Sequence, residues 1–209
     1  MKNFNLFSNK HFHFAAVLCL LTLVISNVTG ADLTIDLNTG SSNVFSLSTS
    51  SANDASTEIT KSSGGYSYKL KAADACYYYS SKALFIGKSG SYIKFPAVSG
   101  KKLTKVTIYN CAGASSKGTV SICPAGSSTP VSGGTASTIS AGSYTTWTLS
   151  GTSANTSYQM YINNGYNVQV TRWILEYTNA GTNYTLHFIN HKKICFVSFV
   201  SFKNLHREK

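Results

Sequence analysis

The chain has 209 residues and carries a formal charge of +11, from 18 Lys+Arg against 7 Asp+Glu, with 13 Tyr, 16 Gly and 5 Cys. Without its ends this is about the modal size of one domain. The chain is rich in Ser, Thr, Gly and Tyr and poor in helix formers, which points to an all-β domain of short strands. Its lysines are spread among carboxylates rather than gathered into the basic, aromatic-interleaved stripe that reads nucleic acid, and that class is set aside.

Residues 1–30 read as a secretory signal. Lys2 and Lys10 give a positive start, Phe14 to Ile25 an apolar core, and Val28 to Gly30 small residues at the cleavage positions. The apolar run is shorter than the ~20 residues of a spanning helix, so the mature chain is expected to carry no membrane span. Lipidation at Cys19 is disfavoured by the bulky Leu18 before it and the apolar residues after it.

In the first expected strand, Leu33, Ile35 and Leu37 alternate with Asp32, Thr34 and Asp36, and Asn38 to Ser42 turns. Val44 to Leu47 is a weaker second run. Ser56 to Thr60 and Tyr66 to Lys71 read as a strand pair separated by a turn at Lys61 to Gly65, with Gly for positive φ. Ala72 to Cys76 is expected as one helical turn or a loop. Tyr77 to Ile86 starts with three tyrosines and ends apolar, and Gly87 to Gly90 turns.

The clearest local signal is Ser91 to Asn110. Ile93 and Phe95 share one face, with Tyr92 and Lys94 on the other. After a turn at Ser99 to Lys102, Val106 and Ile108 face inward, with Lys105, Thr107 and Tyr109 outward. The two runs form either a hairpin, pairing Tyr92 with Tyr109, or a crossing between sheets. Gly118 to Cys123 is the next strand and Pro124 to Gly134 a loop. Ala136 to Ser140 and Tyr144 to Leu149 follow, with Trp147 and Leu149 on one core face. Ser157 to Ile162 leads through Asn163 to Gly165, a hairpin-type turn signal, into Asn167 to Tyr177. In this last run Val168 and Val170 have one parity, while Trp173, Leu175 and Tyr177 have the other. A bulge near Thr171–Arg172 reconciles them.

The chemistry narrows by exclusion. All five histidines (His11, His13, His187, His191 and His206) lie in the signal or the tail, so the domain lacks an imidazole base or ligand. Neither Ser-Gly-Gly nor Gly-Lys-Ser has the phosphate-loop spacing. No cofactor is implied. A carboxylate pair among Asp32, Asp36, Asp54, Glu58, Asp74 and Glu176 would suffice for a glycosidase, but solvated surface carboxylates are the simpler reading. Asp32, Asp36 and Glu176 would form a calcium site only if the first and last strands were neighbours. Cys76, Cys111, Cys123 and Cys195 permit three pairings. An intervening strand of ~15 Å separates Cys111 from Cys123, whereas a disulfide needs Cα atoms within about 7 Å.

The aromatics remain. Tyr77, Tyr78, Tyr79, Tyr92, Tyr109, Tyr161 and Tyr166 are the ligand-binding candidates, because a tyrosine offers a flat apolar face with a polar tip. Outward tyrosines also simply suit strands.

The runs Ser91–Pro96 (SYIKFP), Gly100–Tyr109 (GKKLTKVTIY) and Trp173–Tyr177 (WILEY) resemble galactose-binding-like jelly-roll accessory domains of exported Bacteroidetes-type proteins. The resemblance covers about Ala72 to Thr178. It implies a two-sheet antiparallel β-sandwich (jelly roll), favours the crossing between Phe95 and Val106, and suggests a non-catalytic module with a glycan or cell-surface polymer as partner. The alternative is an accessory domain of a larger exported protein with no ligand of its own. Three segments are expected: the signal at 1–30, the sandwich at 31–180, and a basic, aromatic tail at 181–209 outside the core. Residues 31–180 expressed alone should therefore be soluble and unfold cooperatively in urea; an insoluble or unfolded product would place the tail inside the fold.

Overall fold

The computed structural model describes residues 31–79, 83–112 and 117–180. The signal, the tail, Cys19, Cys195 and all five histidines lie outside the described residues. Within them the chain is all β. The strands are β1 (Leu33–Asn38), β2 (Ile59–Ser63), β3 (Tyr66–Lys71), β4 (Ala75–Tyr79), β5 (Ala83–Gly87), β6 (Tyr92–Lys94), β7 (Lys101–Asn110), β8 (Thr119–Pro124), β9 (Ser137–Thr138), β10 (Tyr144–Thr148), β11 (Tyr158–Ile162) and β12 (Val168–Asn179).

They form two antiparallel sheets. The first runs β10-β7-β12-β5-β4, with β1 paired to β12 beside β5; the second runs β2-β3-β6-β11-β8-β9. From β6 onward the chain passes repeatedly between the sheets, as in a jelly roll. The expected two-sheet sandwich is what the chain builds.

β12 is the central element of the first sheet. One edge pairs along β7; the other pairs with β5 through Val168 to Val170 and with β1 through Arg172 to Tyr177. Its ladder to β7 shifts register between Val170 and Arg172, where the sequence parity breaks. The shift lets Val168, Val170, Trp173, Leu175 and Tyr177 all point inward, each at most 1% exposed. Trp173 lies in an aromatic cluster with Phe45, Tyr68 and Phe95, at ring-centroid distances of 6.0, 6.1 and 6.4 Å. Trp147 is buried, and its indole N–H donates to the Thr135 carbonyl at 2.9 Å.

The segment from Ser91 to Asn110 takes the crossing. β6 lies in the second sheet and β7 in the first, so Ile93 and Phe95 meet Val106 and Ile108 within one core. The Tyr177 hydroxyl donates to the Pro96 carbonyl at 2.7 Å, tying the start of the crossover to β12. β2 and β3 form the expected pair, but β2 runs on through Lys61 to Ser63, leaving only Gly64 and Gly65 in the turn, at φ 59° and 79°.

Four local expectations are corrected. Asn163 to Gly165 does not close a hairpin, because β11 and β12 belong to different sheets. Asn164 instead accepts from the Thr119 N–H and donates to the Lys117 carbonyl, fixing this segment to the start of β8. Ala72 to Cys76 is no helical turn, since β4 begins at Ala75. The run from Tyr77 to Ile86 is divided between β4 and β5, which pair with each other. Val44 to Leu47 is a turn: the Asn43 side chain bonds both the N–H and the C=O of Leu47, and Ser46 has φ 49°. That turn still delivers Phe45 and Leu47 to the core.

Cys76, Cys111 and Cys123 are free and buried. Burial pushes the Cys76 thiol up to about 12 and raises that of Cys123, so both stay protonated and unreactive near neutrality.

Trp173→Ala should cost about 3–5 kcal/mol, because it removes the ring on which Phe45, Tyr68 and Phe95 converge. Urea unfolding would read the loss as a lower midpoint at unchanged slope; a change below about 1 kcal/mol would contradict this packing.

Candidate ligand-binding face

Because Val106, Ile108, Trp147, Trp173 and Leu175 point inward, their alternate neighbours stand on the outer face of the first sheet. Strand register sets them in rows. Tyr144 lies opposite Tyr109, Tyr109 opposite Arg172, and Arg172 opposite Asn38. The next row is Thr146, Thr107, Ile174 and Asp36, and the third is Thr148, Lys105, Glu176 and Thr34.

The first row is a ladder of contacts. The Tyr109 and Tyr144 rings lie 5.1 Å apart and are tilted by 37°. The Arg172 guanidinium sits 5.5 Å from the Tyr109 centroid, a cation–π distance. Its Nε donates to Asp36 Oδ1 at 2.7 Å, and its Nη2 also pairs with Asp36 Oδ2. This fork holds the Asp36 carboxyl below its usual range. In the second row the Thr107 and Thr146 hydroxyls bond each other at 3.0 Å. In the third, Lys105 pairs with Glu176 at 2.8 Å. Tyr144, at 59%, is the most exposed large apolar side chain among the described residues.

The tyrosine candidates do not share one site. Tyr109 belongs to this ladder. Tyr77 and Tyr79 stand on the same outer face at its β4 side, where Tyr77 stacks on Phe85 at 4.7 Å and is 8% exposed; Tyr79 is 42% exposed. Tyr77 is therefore too covered to offer its ring. Tyr78 has the opposite parity and is a core residue at 5% exposure. Tyr92 and Tyr161 pair on the outer face of the second sheet. Tyr166 is exposed between β11 and β12.

The outer face of the second sheet is organised by Glu58. It accepts from Lys94 at 2.5 Å and from the Tyr92 hydroxyl at 2.8 Å, and pairs with Lys69 at 3.1 Å. These partners, Lys94 foremost, hold the Glu58 carboxyl at about 2, and burial with the Glu58 bond pushes Tyr92 up to about 12. The Tyr92 hydroxyl is thus already committed. A cleft of about 170 Å³ opens beside Ser67, Lys94 and Ser157, smaller than the ~300 Å³ at which enclosed ligand sites begin.

The calcium reading fails on chemistry. β1 and β12 are neighbours, as it required, but Asp36 is taken by Arg172 and Glu176 by Lys105. Carboxylates neutralised by cations make poor calcium ligands. The same pairing bears on acid–base chemistry: Glu58 and Asp36 are shifted down, away from what a general acid needs.

Tyr144 and Arg172 were not among the sequence candidates, yet both were within reach. Trp147 and Leu149 facing inward put Tyr144 on the other parity, and the parity break in β12 turns Arg172 outward.

No family model and no curated protein matches this chain. Among solved structures, a low-affinity xylan-binding module, CBM86, from the gut symbiont Roseburia intestinalis matches 71% of this chain and 97% of that module, at 14% identity and a TM-score of 0.36. That score is too low to equate the two folds, and the sandwich stands on the strand pairing itself.

Glu58 contributes stability that is full above its ordinary 4.5 and lost as pH falls toward 2. Glu58→Gln should lower Tm at pH 7 by about 2–4 °C, the size of a ~1 kcal/mol ion-pair cluster, with the difference from wild type vanishing near pH 2. A difference that persists unchanged at pH 2 would assign the effect to packing.

Proposed function

We propose that this domain is a non-catalytic glycan-binding module that works after export, at the cell surface or in the medium. The observation that carries the reading is the Tyr109–Tyr144 pair, two adjacent rings on an open sheet face with Tyr144 largely in water. Tyrosine rings stack on the apolar faces of sugars, and their hydroxyls meet sugar hydroxyls at the rim. The Thr146 hydroxyl in the next row and the Asn38 amide in the same row add polar groups on the exposed face. The absence of histidine from residues 31–180 and the cation-held carboxylates favour binding over turnover.

The second reading is an accessory domain with no ligand. It is favoured by the closure of the ladder on itself: Asp36, Arg172, Tyr109 and Tyr144 each already have a partner within the protein. Such cross-strand pairs stabilise a sheet by about 0.2–1 kcal/mol each without any ligand.

Affinity electrophoresis of the full chain through gels containing glucan, mannan, galactan or xylan separates the two. The glycan reading expects retardation by at least one polymer, weakened about five- to tenfold by Tyr144→Ala and further by Tyr109→Ala, or about 1–1.4 kcal/mol for the first step. Tyr144→Ala should leave thermal stability within about 0.5 kcal/mol, since its ring is mostly exposed. Unretarded migration in all four gels would leave the accessory reading.

A further inference from the structure

We infer that this face takes an uncharged glycan rather than an acidic one, although the chain's charge of +11 suggests attraction to polyanions. The inference rests on reading the Tyr109–Tyr144 face as a glycan platform. What decides the class is whether any cation beside the rings is free to pair with a carboxylate or sulfate.

In the rows around the rings, each cation is matched. Arg172 directs Nε and Nη2 at both oxygens of Asp36, with its guanidinium carbon 5.5 Å from the Tyr109 ring centroid. A uronate seeking the same fork must first displace Asp36 from a bidentate pair. Lys105 is paired with Glu176 two rows away. The four charges sum to zero, and a polyanion laid across them meets two carboxylates as well as two cations. Lys102, also on β7, lies roughly 23 Å along the strand from Tyr109 at about 3.3 Å per residue. That is well beyond the ~8–10 Å over which charge acts in physiological salt.

The surplus of positive charge is elsewhere. Residues 1–30 and 181–209 hold seven of the 18 basic residues against one Glu, and on the second sheet Lys69 and Lys94 share Glu58, with Lys71 beside them on β3. Selection for neutral chains on the tyrosine face is thus set by Asp36 and Glu176, which occupy the cations there. Removing either carboxylate unmasks its cation without touching a tyrosine.

The test compares a neutral glucan or mannan with polygalacturonate, scoring only the part of binding by the full chain that Tyr109→Ala/Tyr144→Ala abolishes. The expected result is tyrosine-dependent binding of a neutral polymer, unchanged from ~0.05 to ~0.5 M salt and at least tenfold stronger than that of polygalacturonate. Asp36→Asn should then raise tyrosine-dependent binding of polygalacturonate about five- to tenfold, in a salt-sensitive way. Glu176→Gln should do the same to a lesser degree, providing a second route if Asp36→Asn proves unfolded by circular dichroism. Tyrosine-dependent binding of polygalacturonate as strong as that of the neutral polymer would overturn the inference and keep the platform. So would folded Asp36→Asn and Glu176→Gln proteins that gain nothing. Binding to neither polymer that depends on the tyrosines would overturn the platform itself, and the inference with it.

Discussion

The one-residue register shift in β12 is the constraint on which both the core and the candidate face depend. A regular strand keeping Val168 and Val170 inward would also turn Arg172 and Ile174 inward, and Trp173, Leu175 and Tyr177 outward. It would place a guanidinium in the sandwich and three large apolar side chains in water. The shift between Val170 and Arg172 avoids both outcomes, because a bulge changes the facing of everything beyond it. Thr171, at the irregularity, contributes its carbonyl to the N–H groups of Thr39 and Gly40, so the chain leaving β1 anchors on the bulge. The same step brings Trp173 beneath Phe45, Tyr68 and Phe95, and Arg172 beside Tyr109.

This coupling gives the outer face its character. Its aromatic pair lies on β7 and β10, at one edge of the sheet, while the charged residues lie mainly on β12 and β1. The rings present flat apolar surface at low conformational cost, since tyrosine has only two side-chain torsions to fix. The charges beside them neutralise one another, leaving a surface that is polar without a strong field. Such a face suits a partner rich in hydroxyls. The opposite sheet differs, because Glu58 holds Tyr92 through its hydroxyl and gathers lysines around it.

Much of the fold was legible because alternation is a local property of sequence. Ile93 and Phe95 against Val106 and Ile108, Trp147 with Leu149, and the broken parity of the last strand each predicted a facing that the structure has. What alternation does not carry is the identity of the neighbouring strand. The Asn163–Gly165 turn looks like a hairpin, yet its side chains bond the start of β8 and the chain crosses to the other sheet. The seven tyrosine candidates failed to converge for the same reason: Tyr109, Tyr92 and Tyr161 are all outward, but on opposite faces of the sandwich. Tyr78 is core because it pairs with Leu84 across β4 and β5, a contact that three consecutive tyrosines gave no means of assigning. Tyr144, by contrast, was readable from Trp147 and simply shares the parity of exposed residues.

In the proposed function a glycan contacts the face where Tyr109, Tyr144 and Arg172 stand. Titrating a ¹⁵N-labelled chain with an oligosaccharide of whichever neutral polymer retards it would test that claim most directly. Amide shifts are expected on β7, β10 and the part of β12 around Arg172, with β3, β6 and β11 of the other sheet silent. Shifts centred on Tyr92, Lys94 and Tyr161 instead, or no shifts at saturating sugar, would contradict it.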